Sequence, residues 1–177
     1  VTMAKGVASG YAAISVTATT EDLFNEFLND PSDKMGYFRD ISTFGGCTAG
    51  PAAALENMRI IEQENLLDNV TKMGHYTLDR LHELQQKHPI IGDVRGKGLF
   101  LGADLVKDPK TREPVDESVA AAIAADCLKQ GVMIGRTNRS LNDYNNTLCL
   151  SPALICTKDD IDEIITAIDN AITNLPS

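Results

Sequence analysis

The sequence predicts an α/β protein, and three observations carry that expectation. Short β-type runs, IIGDVRG over residues 90–96 and GLFLGADLV over 98–106, meet at the Gly96-Lys97-Gly98 turn. Apolar residues recur at helical spacing between Pro51 and Gln86 and again after Thr157. Of the 177 residues, 43% are hydrophobic and 23% charged, the balance of a chain that folds around a core.

Taken in order, the chain opens on VTMAKGVASGYAA. Val1, Met3 and Ala4 read as a short buried strand, and Gly6, Ser9 and Gly10 as a tight loop. Lys5 between them is either a snorkelling side chain or a reagent. A lysine amine attacks an aldehyde only when part of it is neutral, which an apolar pocket or a neighbouring cation arranges. A strand is expected over Ala12–Thr17 and an amphipathic helix over Thr20–Leu28, with Leu23, Phe24, Phe27 and Leu28 on its buried side. Residues 29–40 read as a loop. Ser42-Thr43-Phe44-Gly45-Gly46 stands ahead of a helix beginning near Pro51, where hydroxyls and free N–H groups suit either a phosphate or an ordinary glycine-rich cap.

Two helices, or one long bent one, fill Pro51–Gln86, with Leu55, Met58, Val70, Met73, Thr77, Leu81 and Leu84 at core spacing. Asp116 is the expected N-cap of a helix burying Val119, Ala120, Ile123, Cys127 and Leu128, with Gly131 just beyond its end. Strands are expected over Val132–Ile134 and Thr147–Leu150. Arg136 and Arg139 follow the first of these, where a guanidinium can grip a carboxylate or sulfonate in a fork or simply lie in water. The TKDD at Thr157 reads as a capping box for a last helix burying Ile161, Ile164, Ile165, Ile168 and Ile172.

Charge and motif content remove several classes. Sixteen Lys and Arg against 25 Asp and Glu give a net charge of −9, which opposes phosphate-backbone binding, so no nucleic-acid partner is expected. No apolar run reaches the ~20 residues of a membrane span, and no membrane partner is expected. Cys47, Cys127, Cys149 and Cys156 lack metal or disulfide spacing and read as reduced thiols of a cytoplasmic protein. His75, His82 and His88 read as surface residues, and no metal is expected. GDVRGKG is one residue short of a P-loop and carries Gly98 in place of the hydroxyl, so it reads as a turn. The chain does not start with Met, begins mid-strand, and reads as a portion of a longer protein.

The ordered set TMAKG, STFGG, NLLDNVTKMG, HPIIGDVRGKGLFLGADLV and LSPALICTKDDID resembles the class III pyridoxal-phosphate aminotransferases, the omega-aminotransferase group, across nearly the whole chain. The resemblance implies fold type I, with residues 1–60 as the C-terminal part of the large cofactor-binding domain. Residues 61–177 would be a linking helix and the small C-terminal α/β domain. The wording STFGGCTAGPAAALENMRIIE and TNRSLNDYNNTLCLSPALI points to the taurine-using branch, although Cys47-Thr48-Ala49-Gly50 departs from the commoner TFGGNP pattern.

By resemblance, Lys5 links covalently to pyridoxal 5'-phosphate and, once freed, moves the substrate proton. Thr43, beside Ser42, would hydrogen-bond the cofactor phosphate from the neighbouring subunit of a homodimer or homotetramer. Arg139 or Arg136 would bind the acid group of a small-molecule amino donor and of a 2-oxo acid acceptor. Arg139 follows from the TNRS wording and Arg136 from a count along the common pattern. The implied reaction moves the amino group of taurine, or a similar omega-amino acid, to pyruvate, giving sulfoacetaldehyde and L-alanine. A β-alanine or 4-aminobutyrate donor on the same scaffold, or a non-catalytic module that keeps the fold, are the alternatives. The family's aspartate for the pyridine nitrogen, its stacking aromatic residue and its Gly-Ser phosphate loop would all precede Lys5, outside this sequence.

Overall fold

The helical periodicity between Pro51 and Gln86 is interrupted at Asn65, whose φ of 51° lies in the left-handed region that Asn tolerates better than most residues. A computed structural model describes every residue except 29, 31, 34, 35, 39, 40, 142 and 177. It divides into two units, Val1–Glu64 and Asn65–Ser177. Six positions of the loop expected over 29–40 therefore lie outside the described residues.

In the first unit, β1 (Thr2–Ala4) pairs antiparallel with β2 (Ser15–Thr17), Met3 opposite Val16. Lys5–Ala8 forms a single 3₁₀ turn, and Ser9 and Gly10 follow with φ of 50° and 77°. Helix α1 is short, Glu21–Asn25, capped by Thr20, whose hydroxyl accepts from the Leu23 N–H. Helix α2 runs Ala49–Gln63.

Four expectations fail in this unit. The strand at the start exists but all of Thr2–Ala4 is exposed: among the described residues its strand partner is β2 alone, and a two-stranded ribbon is too narrow to bury it. The helix expected over Thr20–Leu28 stops at Asn25, and Leu23, Phe24, Phe27 and Leu28 are exposed. Among the described residues the contacts of this stripe are an isolated antiparallel bridge from Leu28 to Tyr37 and an edge-on contact between the Phe27 and Phe38 rings with centroids 5.8 Å apart. Leu55 and Met58 of α2 are likewise exposed, and the strand expected over Ala12–Thr17 begins only at Ser15.

The second unit packs three helices, α3 (Leu66–Lys87), α4 (Glu117–Lys129) and α5 (Lys158–Thr173), with an antiparallel sheet. Its strands are β3 (Ile91–Lys97), β4 (Phe100–Leu105), β5 (Gly135–Arg136) and β6 (Thr147–Leu150), ordered β3-β4-β6-β5. Alternation along β4 sends Leu101, Ala103 and Leu105 into the core and leaves Phe100 outside. Thr77, Leu81, Leu84, Ala120, Ile123, Cys127, Ile161, Ile165, Ile168 and Ile172 are buried from the helical side. The paired strands are linked across the less buried side of the sheet. Arg95 donates to both carboxylate oxygens of Asp104 at 2.6 and 2.9 Å, and Thr147 Oγ1 donates to the same carboxylate at 2.6 Å.

The caps were legible. Thr157 and Asp160 form the reciprocal capping box, and Asp116 accepts from the Ser118 N–H at 2.8 Å. Gly131 follows α4 with φ of 90°. Two details differ from expectation. Leu128 points outward, because it falls off the Ala120-Ile123-Cys127 face. Residues 132–134 are extended without ladder bonds, and pairing to β6 begins at Gly135. The GKG turn is a packing device: a Cβ on Gly74 would lie 2.5 Å from the Gly98 carbonyl oxygen, so the turn rides directly on α3.

Candidate active-site residues

Lys5 sits where β1 ends, with φ of 54°, a backbone conformation that side-chain-bearing residues avoid. The turn that follows is fixed to α2, because Asn57 Nδ2 donates to the carbonyls of Gly6 and Val7, each at 3.1 Å. The side chain is exposed, not buried as expected, since neither face of the β1–β2 ribbon is covered within its unit. The distinguishing feature of Lys5 is thus its backbone, held in a costly conformation by its neighbours.

Ser42 and Thr43 are exposed at the start of a turn in which the Gly45 N–H donates to the Ser42 carbonyl at 2.9 Å. Helix α2 begins at Ala49, two residues earlier than expected, and its N-cap Thr48 gives no side-chain hydrogen bond to the first turn. Pro51 has no N–H and the Ala52 N–H donates to the Thr48 carbonyl at 3.1 Å, so the Ala49 and Gly50 N–H groups are the ones left for an anion. A concavity of about 870 Å³ opens here, bounded by Ile14, Ser42, Phe44, Gly46, Cys47 and Ala54, among others. Ser42 lines it; Thr43 and Lys5 do not. An amine for an aldehyde, and hydroxyls beside an uncapped helix start for a phosphate, are donor types that fit pyridoxal phosphate, although Lys5 stands outside this concavity.

The two candidate arginines, both in the second unit, have different surroundings. Arg136, in β5, donates from Nη1 to Glu117 Oε1 at 2.7 Å and to the Thr137 carbonyl at 3.3 Å. The Arg136 guanidinium, then the Asn145 amide, hold the Glu117 carboxyl below its usual range, so it stays ionised. Arg139 lies exposed on the loop between β5 and β6 and has no hydrogen-bond or ion-pair partner among the described residues. The fork-forming guanidinium that remains free is Arg139.

Sequence reasoning missed Glu117 and Asn145. Glu117 looked like a first-turn helix residue and Asn145 a loop residue, and nothing local signals a contact across 28 positions. A second concavity of about 670 Å³ borders them, lined by Glu113, Asp116, Asp143 and Lys107 as well. No group of three His, Cys, Asp or Glu suited to a metal occurs among the described residues. No helix among them is long and apolar enough to cross a membrane. His75 and His82 are exposed, but His88 is not a surface residue: its Nε2 lies 2.6 Å from Asp169 Oδ1 where the C-terminus of α3 meets α5. All four cysteines are free, and burial pushes Cys127 up to about 11.

Comparison with known proteins returns one consistent answer. A family model described as aminotransferase class-III matches residues 1–172. The hypotaurine/taurine–pyruvate aminotransferase of Paracoccus denitrificans is 66% identical over 175 residues, 99% of this chain and 38% of the relative. A Bacillus anthracis aminotransferase structure superposes with a TM-score of 0.93 at 38% identity, covering 98% of this chain and 38% of that one. An amine transaminase from an uncultivated Pseudomonas species, in its PLP-bound form, gives a TM-score of 0.81 at 29% identity over 97% of this chain and 37% of its own. The chain spans about 38% of the length of the curated taurine–pyruvate relatives it matches.

Proposed function

We propose, from the premise that this chain belongs to the class III aminotransferases, that the whole protein moves an amino group from taurine or a similar omega-amino acid to pyruvate. The amine nitrogen leaves the donor, which becomes sulfoacetaldehyde, and arrives on pyruvate as L-alanine. The 66% identity to a hypotaurine/taurine–pyruvate enzyme supports that donor class over β-alanine or 4-aminobutyrate.

One observation carries the catalytic reading: Lys5 bears its amine on a left-handed backbone, φ 54°, fixed by Asn57 through the next two carbonyls. Strain that the surroundings maintain is characteristic of functional positions. Pyridoxal phosphate, when bound, supplies an electron-withdrawing ring that accepts charge developing at the substrate carbon. Lys5 Nζ would hold the cofactor at its reactive carbon and, when free and neutral, would take the proton from the substrate carbon that bears the amino group. Ser42 and the uncapped start of α2 offer donors to the phosphate. Thr43, which does not line the concavity that Ser42 does, serves the site of a neighbouring subunit in a homodimer or homotetramer. Arg139 binds the sulfonate or carboxylate.

The break at Glu64–Asn65 supports assigning the first unit to the large domain of a fold type I transferase and the second to its small domain. Four free thiols support a reducing, cytoplasmic setting. The test is a donor panel on the full-length protein, with taurine, hypotaurine, β-alanine and 4-aminobutyrate against pyruvate, and the cofactor absorbance before and after Lys5→Ala. Taurine or hypotaurine should lead, and Lys5→Ala should change the spectrum and lower kcat by about 10³-fold or more. An unchanged spectrum overturns the lysine assignment; inert taurine beside active β-alanine overturns the donor; no transfer from any amine favours a non-catalytic module.

A further inference from the structure

Ten residues, 137–146, separate β5 from β6 and carry Arg139, and an exposed loop of that length holds a guanidinium in place only if something ties it down. Its base is closed by Thr137, whose N–H donates to the Thr147 carbonyl at 2.9 Å and whose hydroxyl accepts from the Thr147 N–H at 3.1 Å. Its middle is closed by Asn145, whose Oδ1 accepts from the Ser140 N–H, next to Arg139, at 2.9 Å. Asn145 is held in turn from outside the loop, because its Nδ2 donates to Glu117 Oε2 at 3.0 Å. The other oxygen, Oε1, takes Arg136 at 2.7 Å. Each oxygen of one carboxylate thus restrains a different element, one the rival guanidinium and the other the loop.

We propose that Glu117 is the positioning residue for the substrate's acid group: it neutralises and withdraws Arg136, and through Asn145 it orders the loop that presents Arg139. This rests on the transaminase reading above and on Arg139 as the anchor. The donor and acceptor inventory makes the arrangement specific. Arg136 and the Asn145 amide are both donors, so their common partner must accept twice; a glutamine there accepts once and sets its own NH₂ against the other donor. Asn145→Asp fails from the opposite side, with carboxylate facing carboxylate. Combining Glu117→Gln with Asn145→Asp reverses the polarity of the bond and restores it: the glutamine NH₂ donates to the aspartate while its oxygen still accepts from Arg136.

The experiment uses the full-length holoenzyme, with KM and kcat for taurine and pyruvate, and the half-reaction with n-propylamine, a donor with no acid group. Glu117→Gln and Asn145→Asp should each raise KM for taurine and pyruvate about tenfold, leave propylamine within about twofold, and recover most of the loss when combined. Amide exchange at Ser140 should quicken in each single variant and slow again in the pair. Equal losses for taurine and propylamine, or no recovery in the pair, overturn the proposal in favour of a purely structural carboxylate. If Arg139→Ala leaves the taurine KM unchanged, the anchor assignment falls and this proposal with it. If the parent protein transfers no amine, the earlier reading fails on its own account, and unchanged exchange at Ser140 in the single variants separately overturns the tie.

Discussion

The two units use similar apolar content in opposite ways. In Asn65–Ser177, apolar positions at helical and strand spacing converge on one core, and Leu105, Ile123 and Ile161 are fully buried. In Val1–Glu64, the periodic residues of α1 remain in water, with Phe24 55% exposed, and the buried apolar side chains are as small as Ala8 and Ala54. Periodicity states which face of an element wants burial; it does not state whether the same stretch of chain supplies the cover. The second unit covers itself. The first leaves Lys5, Ser42 and Thr43 exposed.

The sharpest way to break that contrast is to truncate one apolar side chain in each unit of the 177-residue chain and follow urea unfolding. Ile161→Ala empties a fully buried site and should cost about 3 kcal/mol, whereas Phe24→Ala should cost under about 0.5 kcal/mol. Comparable losses would mean that α1 finds a cover in solution.

Gly74→Ala comes next. Alanine favours a helix over glycine by about 1 kcal/mol, so an unpacked α3 would gain from it. Here the new Cβ would meet the Gly98 carbonyl oxygen at 2.5 Å and its Cα at 2.7 Å, backbone atoms that cannot swing aside. Overpacking should win, with a net loss of about 2 kcal/mol of unfolding free energy, read as a lower urea midpoint at unchanged slope. A gain instead would place the GKG turn away from the helix.

What the sequence made legible divides along the same line. Thr157 with Asp160, Asp116 with Ser118, and Gly131 act within three residues of one another or alone, so their roles follow from local chemistry. Ile161, Ile165, Ile168 and Ile172 follow from one helix's period. Glu117 with Asn145, and His88 with Asp169, join residues 28 and 81 positions apart, and no local pattern encodes such a meeting. The ordered motifs picked out Lys5, Ser42, Thr43 and the two arginines, yet they are silent on which arginine is already paired and on the left-handed backbone of Lys5.

Acid should find the second unit's polar ties before its core. Burial alone would push Asp104 up, but Arg95 and the Thr147 hydroxyl outweigh it and hold the carboxyl below 3.8. Lys87, then His88, hold Asp169 down in the same way. A carboxyl lowered by folding stabilises the native state fully above its ordinary pKa and loses that contribution as pH falls through the folded value. Asp104→Asn should therefore cost about 1 kcal/mol at pH 7, and its deficit against the parent should shrink as the pH falls below the ordinary carboxyl value through the lowered folded one. A deficit independent of pH would assign the cost to packing.

The smallest effect concerns Lys5, where the first unit's uncovered character and its chemistry meet. A side chain at φ 54° costs about 1–2 kcal/mol relative to the right-handed region, and Lys5→Ala keeps that cost because alanine still carries a Cβ. Lys5→Gly removes it, less the extra freedom glycine gains in the unfolded chain, so the glycine variant should be more stable than the alanine variant by about 0.5–1 kcal/mol. Both should lose transfer activity together, since neither has an amine. The midpoint of thermal or urea unfolding, taken on the cofactor-free full-length protein, separates the two terms. A more stable, equally inactive glycine variant means the protein maintains strain at Lys5 to aim its amine. Equal midpoints would mean the turn relaxes in solution, and the aim would then have to come from what covers the β1–β2 ribbon.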